Sequence, residues 1–334
     1  MSIMQMMLGA SGGGGLSVGD VFSIDLWTGN ETNRSITNGL DLGGEGGLVW
    51  IKSRGNSRAH RLYDTEREAT YEIYADDTSA EAENTGGLTA FNADGFTIGT
   101  SNQVNSDEED FVGWSFRSAP GFFDVVEYEG DGVDGRTVAH SLGSIPGMII
   151  VRHYDAREEN MVYHRSVGNT EALELNSTSQ PQFDGSPDIA WDDTSPTDSV
   201  FTVGSHDRVN RDGYNYIAYV FAHDDQSFGG ESIIKCGGYT GDGDEPGATI
   251  TLGWEPQWLI VKRTDSNEYW PIYDAARGGT SNKQYLIADN NGAEADNANF
   301  QINFTSTGFQ PQTDDGSFNE DGGTYVYMAI RKED

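Results

Sequence analysis

Gly47-Leu48-Val49-Trp50-Ile51-Lys52 is an unbroken apolar run closed by a cation, and the chain returns to it twice, as Gly147-Met148-Ile149-Ile150-Val151-Arg152 and as Gln257-Trp258-Leu259-Ile260-Val261-Lys262. A run of this length, bounded by turn residues on one side and charge on the other, reads as a buried β-strand. Other landmarks keep the same phase. Upstream stands an aromatic-x-Gly turn, Trp27-Thr28-Gly29, Tyr128-Glu129-Gly130 and Tyr239-Thr240-Gly241; downstream stand Tyr63-Asp64, Tyr163-His164 and Tyr273-Asp274. Gly95-Phe96-Thr97-Ile98-Gly99 matches Val200-Phe201-Thr202-Val203-Gly204 and, more loosely, Gly308-Phe309-Gln310. Each unit then closes on a further strand, at residues 111–117, 216–222 and 325–331. The copies lie roughly 100 to 110 positions apart. Solenoid repeats are about 20 to 50 residues long, so each copy is a domain's worth of chain.

In register, Val112, Trp114 and Phe116 answer to Ile217, Tyr219 and Phe221 and to Val326, Met328 and Ile330. Alternation with one apolar face is the pattern of a half-buried antiparallel strand. In the first copy strands are expected at residues 21–26, 47–52, 70–74, 96–99 and 111–116. No long helix-period segment competes; residues 64–72 come nearest, and Thr65, Thr70 and Tyr71 weaken them. The expectation is an all-β fold: three tandem antiparallel β-sandwich domains at residues 20–118, 119–225 and 226–334, preceded by an extended N-terminal arm at 1–19. The linkers, Ser118-Ala119-Pro120-Gly121 and residues 224–230, are short, so the domains are expected to pack end to end.

Fifty-four acidic residues against 20 basic give a net charge of −34. Nucleic-acid binding rests on Lys and Arg neutralising phosphates, and this balance argues against it, as it does against anionic membrane surfaces. Salt relieves the self-repulsion, which points to a saline habitat. No stretch approaches the roughly 18 apolar residues of a membrane helix, so no membrane insertion is expected. The N-terminus lacks a signal peptide's positive region. The single cysteine, Cys236, sits in an apolar run and reads as a small core residue.

Four of the seven methionines fall within the first seven positions, ahead of a glycine-rich stretch. Met1, Ile3, Met4, Met6, Met7 and Leu8 form an adaptable apolar plug on a glycine tether, expected to anchor in a partner protein or sister subunit.

Chemistry-bearing patterns are weak. Carboxylates adjacent in sequence carry little information in so acidic a chain. The turns at Asp131-Gly132 and Asp242-Gly243 resemble fragments of calcium loops but do not complete the pattern, and tight turns explain them better. Five of the six histidines, His140, His153, His164, His206 and His223, fall in the second copy without zinc-ligand spacing, and surface or turn positions are expected. No P-loop lysine motif occurs. No metal, cofactor or catalytic residue is therefore expected. Lys52, Arg152 and Lys262 recur in register and read as scaffold, for instance paired with a turn acid. Loops that differ between copies are where recognition usually sits. Trp191 and Trp270 are the candidate exposed aromatics for receptor contact, with core burial the alternative for each.

Residues Phe22-Ser23-Ile24-Asp25-Leu26-Trp27-Thr28-Gly29-Asn30, Phe91-Asn92-Ala93-Asp94-Gly95-Phe96-Thr97-Ile98-Gly99, Trp114-Ser115-Phe116-Arg117 and Thr137-Val138-Ala139-His140-Ser141-Leu142-Gly143-Ser144-Ile145-Pro146-Gly147 resemble a repeated domain found in virion proteins of marine bacteriophages, including cyanophages. The likeness covers most of residues 20–223, with the third copy more divergent. It implies a non-enzymatic structural protein of the virion, assembled in the host cytoplasm. That protein is expected to be a tail or neck fibre, a homo-oligomer with a trimer favoured. Residues 1–19 would dock in other virion proteins and the distal copies would contact a host surface glycan or protein. A capsid decoration protein is the alternative, and a polysaccharide-degrading virion enzyme the third reading.

Overall fold

The computed structural model describes residues 16–181, 190–223 and 232–333. The chain is all-β, with several antiparallel sheets and helices of no more than one turn. The anchor residues Met1 to Leu8 lie outside the described residues, as does the whole of the second linker.

Each copy is built on one large sheet. In the first copy its strands lie in the order Phe22–Thr28, Asp110–Arg117, Gly47–Ser53, Arg61–Asp64, Tyr71–Tyr74 and Ala82–Glu83. The second copy repeats this with Phe123–Glu129, Asn215–Ala222, Pro146–His153, Asn160–His164 and Gly168–Glu174. The third follows with Ile234–Thr240, Thr324–Arg331, Pro256–Arg263, Pro271–Asp274, Gln284–Ile287 and Ala295–Asp296. The closing strand thus lies between the first strand and the recurring apolar run in every copy. Phe116 is flanked by Phe22 and Leu48, Phe221 by Phe123 and Met148, and Ile330 by Ile234 and Trp258. A smaller sheet backs each large one: Arg34–Thr37, Gly95–Ile98 and Leu88–Asn92 in the first copy, and Arg136–Ala139 with Val200–Val203 in the second. In the third it contains Ile250–Thr251, Gly308–Pro311 and Ile302–Thr305. In the first copy Trp27, Val49, Ile51, Phe96, Ile98 and Phe111 fill the space between the two sheets.

Arg61–Asp64 and Arg34–Thr37, not among the expected strands, are short strands whose polar residues hide the pattern. The apolar face of the closing strand, expected to line the sandwich core of its own copy, points the other way: Leu48, Trp50, Trp114 and Phe116 share one continuous core with Met148, Ile150 and Phe221 of the second copy and Trp258, Ile260 and Ile330 of the third. The closing strands are accordingly buried on both faces along most of their length. The Phe116 ring lies 5.5 Å from Phe221 and 6.0 Å from Trp258, so the first copy touches both others. End-to-end packing is therefore corrected: three large sheets face one another around a common centre. Residues 16–19, expected in the arm, belong to this body as well, since Val18 is buried in the shared core and Leu16 packs against it.

A large apolar side chain contributes about 1.5–3 kcal/mol when buried, and a core common to three copies couples their stabilities. Calorimetry of the purified protein should give one cooperative unfolding transition, with calorimetric and van't Hoff enthalpies agreeing. Three resolved transitions would mean that the copies fold independently.

Candidate functional site

Two sets of positions recur in all three copies with defined geometry: the aromatic-x-Gly turn ends and the joints between copies. At the turn ends, the aromatic side chain donates to a carbonyl near the end of its own copy. Trp27 Nε1 bonds Val104 O at 3.0 Å, Tyr128 Oη bonds Val209 O at 2.6 Å, and Tyr239 Oη bonds Phe318 O at 2.7 Å. The glycine two residues on is needed for close approach. A Cβ on Gly29, Gly130 or Gly241 would fall 2.0, 2.2 or 2.3 Å from a backbone carbonyl oxygen of the facing loop. Next to each glycine a buried asparagine ties the turn down. The Oδ1 of Asn105, Asn210 and Asn319 accepts from the backbone N–H of Asn30, Asp131 and Asp242, and their Nδ2 groups donate to backbone carbonyls. Asp131 and Asp242 each accept the N–H two residues on, at 2.9 and 3.1 Å, the turn chemistry expected of aspartate. Among the described residues no group of three or more His, Cys, Asp or Glu side chains is placed to hold a metal.

The joints close a ring. His60 Nε2 bonds Ile287 O of the third copy at 3.0 Å. Asn160 Nδ2 bonds Tyr74 O of the first at 3.0 Å, and Trp270 Nε1 bonds Glu174 O of the second at 3.0 Å. His60, Asn160 and Trp270 begin or immediately precede the same strand in their respective copies. The His60 tautomer is fixed because its Nδ1 accepts from Trp50 Nε1 at 2.8 Å, leaving Nε2–H as donor.

A second ring of contacts uses the ends of those strands. Trp114 Nε1 donates to Asp274 Oδ2 at 3.0 Å, and Tyr219 Oη to Asp64 Oδ2 at 2.8 Å. Each aspartate is also paired with a fully buried arginine three residues on, Arg277 at 2.5 Å and Arg67 at 2.6 Å. These arginines reach a further carboxylate, Glu294 and Glu81. In the second copy the aspartate is His164 and the arginine Val167. There Ser166 N–H donates to His164 Nδ1 at 3.2 Å, so Nε2–H donates to Tyr327 O at 3.1 Å. Burial holds the His164 pKa down at about 4, partly offset by the Tyr327 carbonyl, with Arg165 adding to the depression.

Two of the three recurring cations bond across the joints too, and backbone carbonyls hold all three. Lys262 Nζ donates to Thr178 O of the second copy at 2.8 Å, and Arg152 to Ser79 O of the first. Lys52 bonds Ser53 O within its own copy at 2.8 Å. Burial lowers both lysines to about 8, while Asp76 and Asp289, raised by burial to about 6, face them.

Neither candidate receptor tryptophan is on the surface. Trp191 and Trp270 are each 1% exposed. Trp191 packs edge-on to Tyr163, with ring centroids 5.8 Å apart, and Trp270 is spent on the joint. A polar flank in sequence does not distinguish an exposed indole from one that crosses to a neighbouring copy. Of the histidines expected in surface or turn positions, His140, His153 and His164 are buried, as is His60 in the first copy, and His206 caps a short helix by accepting from Arg208 N–H at 3.1 Å. Cys236 is buried as expected, and burial pushes its thiol pKa up.

A family described as a domain of unknown function (DUF7483) matches residues 17–333, a span that takes in all three copies. No curated protein matches the chain.

Removing a buried charge leaves its partner unsatisfied, which costs about 3–5 kcal/mol. Asp274→Ala, with Glu294 still present, should lie near the low end, about 3 kcal/mol in denaturant unfolding, and Asp274→Asn should cost less. Equal losses would show that the charge is not what matters. His164 has a folded pKa below its unfolded value of about 6.5. Its contribution is therefore complete above that pH and is lost as pH falls from 6.5 toward 4. Asp76 and Asp289 act in the opposite sense, so the clean measurement is a difference. His164→Gln should flatten the stability profile between pH 6.5 and 4 relative to the parent, and parallel profiles would rule His164 out as the cause.

Proposed function

The chain belongs to the DUF7483 family, a domain of unknown function, and we propose that it is a non-enzymatic structural protein of a bacteriophage particle. In this reading it is a tail or neck fibre component whose body is a rigid three-copy head, tethered to other virion proteins by the residues ahead of Leu16 and presented toward the host surface. The observation that supports it most is the use made of the recurring residues. The aromatic-x-Gly turns, the joint donors and the buried cations all hold copies to themselves or to each other. A protein that invests its repeated positions in rigidity suits a mechanical or display role. The net charge of −34 keeps such a head soluble and apart from nucleic acid.

The shared core also favours the second reading, a capsid decoration protein, because a body with three similar flanks has the form to sit at a threefold position on a shell. Copy number separates the two: tens of copies per particle support the fibre and hundreds the decoration protein. Light scattering of the purified protein adds the oligomeric state, three chains being the mass expected of a fibre.

Deletion of residues 1–8 should leave the cooperative unfolding unchanged and abolish incorporation into particles. Normal incorporation of the truncated protein would remove the anchoring role, and clearing of host polysaccharide by the pure protein would replace the whole reading with an enzymatic one.

A further inference from the structure

One difference between the turn ends concerns a cation. In the second copy Arg136 lies over the Tyr128 ring, its guanidinium carbon 5.5 Å from the centroid. Its Nη1 donates to the carbonyl of Glu129 and reaches Asn210 Oδ1 at 3.5 Å, while Nε stands 3.8 Å from Asp131 Oδ2. In the first copy Arg34 occupies the same place, and its Nη1 donates to Thr28 O at 2.9 Å. Strand register identifies the third counterpart. Ile36 pairs with Phe96, Val138 with Phe201 and Ile250 with Phe309, so the residues two positions earlier are Arg34, Arg136 and Ala248.

The third copy has lost the arginine and kept what receives it. Tyr239, Thr240, Asp242 and Asn319 stand where Tyr128, Glu129, Asp131 and Asn210 stand in the second copy. Tyr239 is stacked on Tyr325 with centroids 4.9 Å apart, as Tyr128 is on Tyr216 at 5.1 Å, so the ring presents the same kind of face. Asp242 is oriented by N–H groups of Asp244 and Ala248, at 3.1 and 2.7 Å, and a carboxylate has about four acceptor sites in all. Between these groups runs a groove of about 320 Å³ lined by Tyr239, Thr240, Asp242, Ala248 and Asn319 among others, and none of its lining residues is a cation.

We propose that this groove takes an arginine side chain of a partner protein, at the place where the first two copies keep Arg34 and Arg136 of their own. An aromatic face, a carbonyl and a carboxylate around one planar cation are the contacts that guanidinium satisfies together, through cation–π attraction and forked hydrogen bonds. A lysine ammonium would use the carboxylate but not the planar stacking. The inference rests on the internal comparison of copies and stands whether or not the protein belongs to a particle.

The test uses the full-length protein and a blocked tripeptide, acetyl-Gly-Arg-Gly-amide, with the citrulline tripeptide as its uncharged isostere. Binding is read from amide resonances of Asp242 and Ala248. The arginine peptide should produce saturable shifts there, and the citrulline peptide should bind at least about tenfold more weakly, a loss of about 1.4 kcal/mol. Ala248→Arg supplies the missing side chain and should abolish the shifts while unfolding no earlier than the parent. Asp242→Asn, which does not depend on that variant folding, should weaken the arginine peptide about tenfold. Absence of saturable shifts in the parent, equal binding of citrulline, or binding that survives both substitutions would overturn the proposal.

Discussion

The structure depends on the second face of each large sheet having nowhere to go but against the other two. Leu48, Trp50, Trp114 and Phe116 form an apolar surface on the side of the first sheet away from its own sandwich core, and the other copies carry the same surface in their own residues. Left in water, each such face would be a large exposed patch of the kind that marks an interface. Pairing two of the faces would leave the third uncovered; three sheets around one centre cover all of them.

Closing the ring brings backbone and side-chain polar groups into the joints, and these must be satisfied because an unpaired buried group is costly. The three joints solve the problem with the same positions and different chemistry. A histidine, an asparagine and a tryptophan perform one task, donation to a carbonyl of the preceding copy. What is constrained is a donor of suitable reach. The strand ends show where that freedom stops. Two joints use an aspartate held by a buried arginine, and the joint between second and third copies uses a neutral imidazole. That joint therefore carries no buried ion pair at these positions, and a neutral ring stands where the other two joints hold paired charges.

Function is sought in what the ring leaves over. The repeated residues are occupied with holding the body together, so differences between copies are more informative than their agreements. The change from Arg34 and Arg136 to Ala248 is such a difference, because the groups that bind arginine in one copy persist in another without it. A motif found three times fixes the scaffold, and the copy in which one partner is missing shows where something else can enter.

Much of this architecture was legible in the residues alone. The apolar run ending in Lys52, Arg152 and Lys262, the aromatic-x-Gly turns and the closing strands are local patterns, and a strand or a tight turn is decided by a few neighbouring side chains. They determined the all-β class, the threefold internal repetition and the phase of its copies. The sequence could not show that the second sheet faces meet, because alternation records which side chains are apolar and not what covers them. For the same reason Trp270 and Trp191 read as candidates for the surface, His164 read as a surface or turn residue, and nothing near His60 marked it as a joint. Each is buried by chain distant in sequence, and His60, His164 and Trp270 by another copy. Only tertiary structure brings Tyr219 to Asp64 and Trp114 to Asp274, since contacts across about 155 and 160 positions depend on the ring having closed.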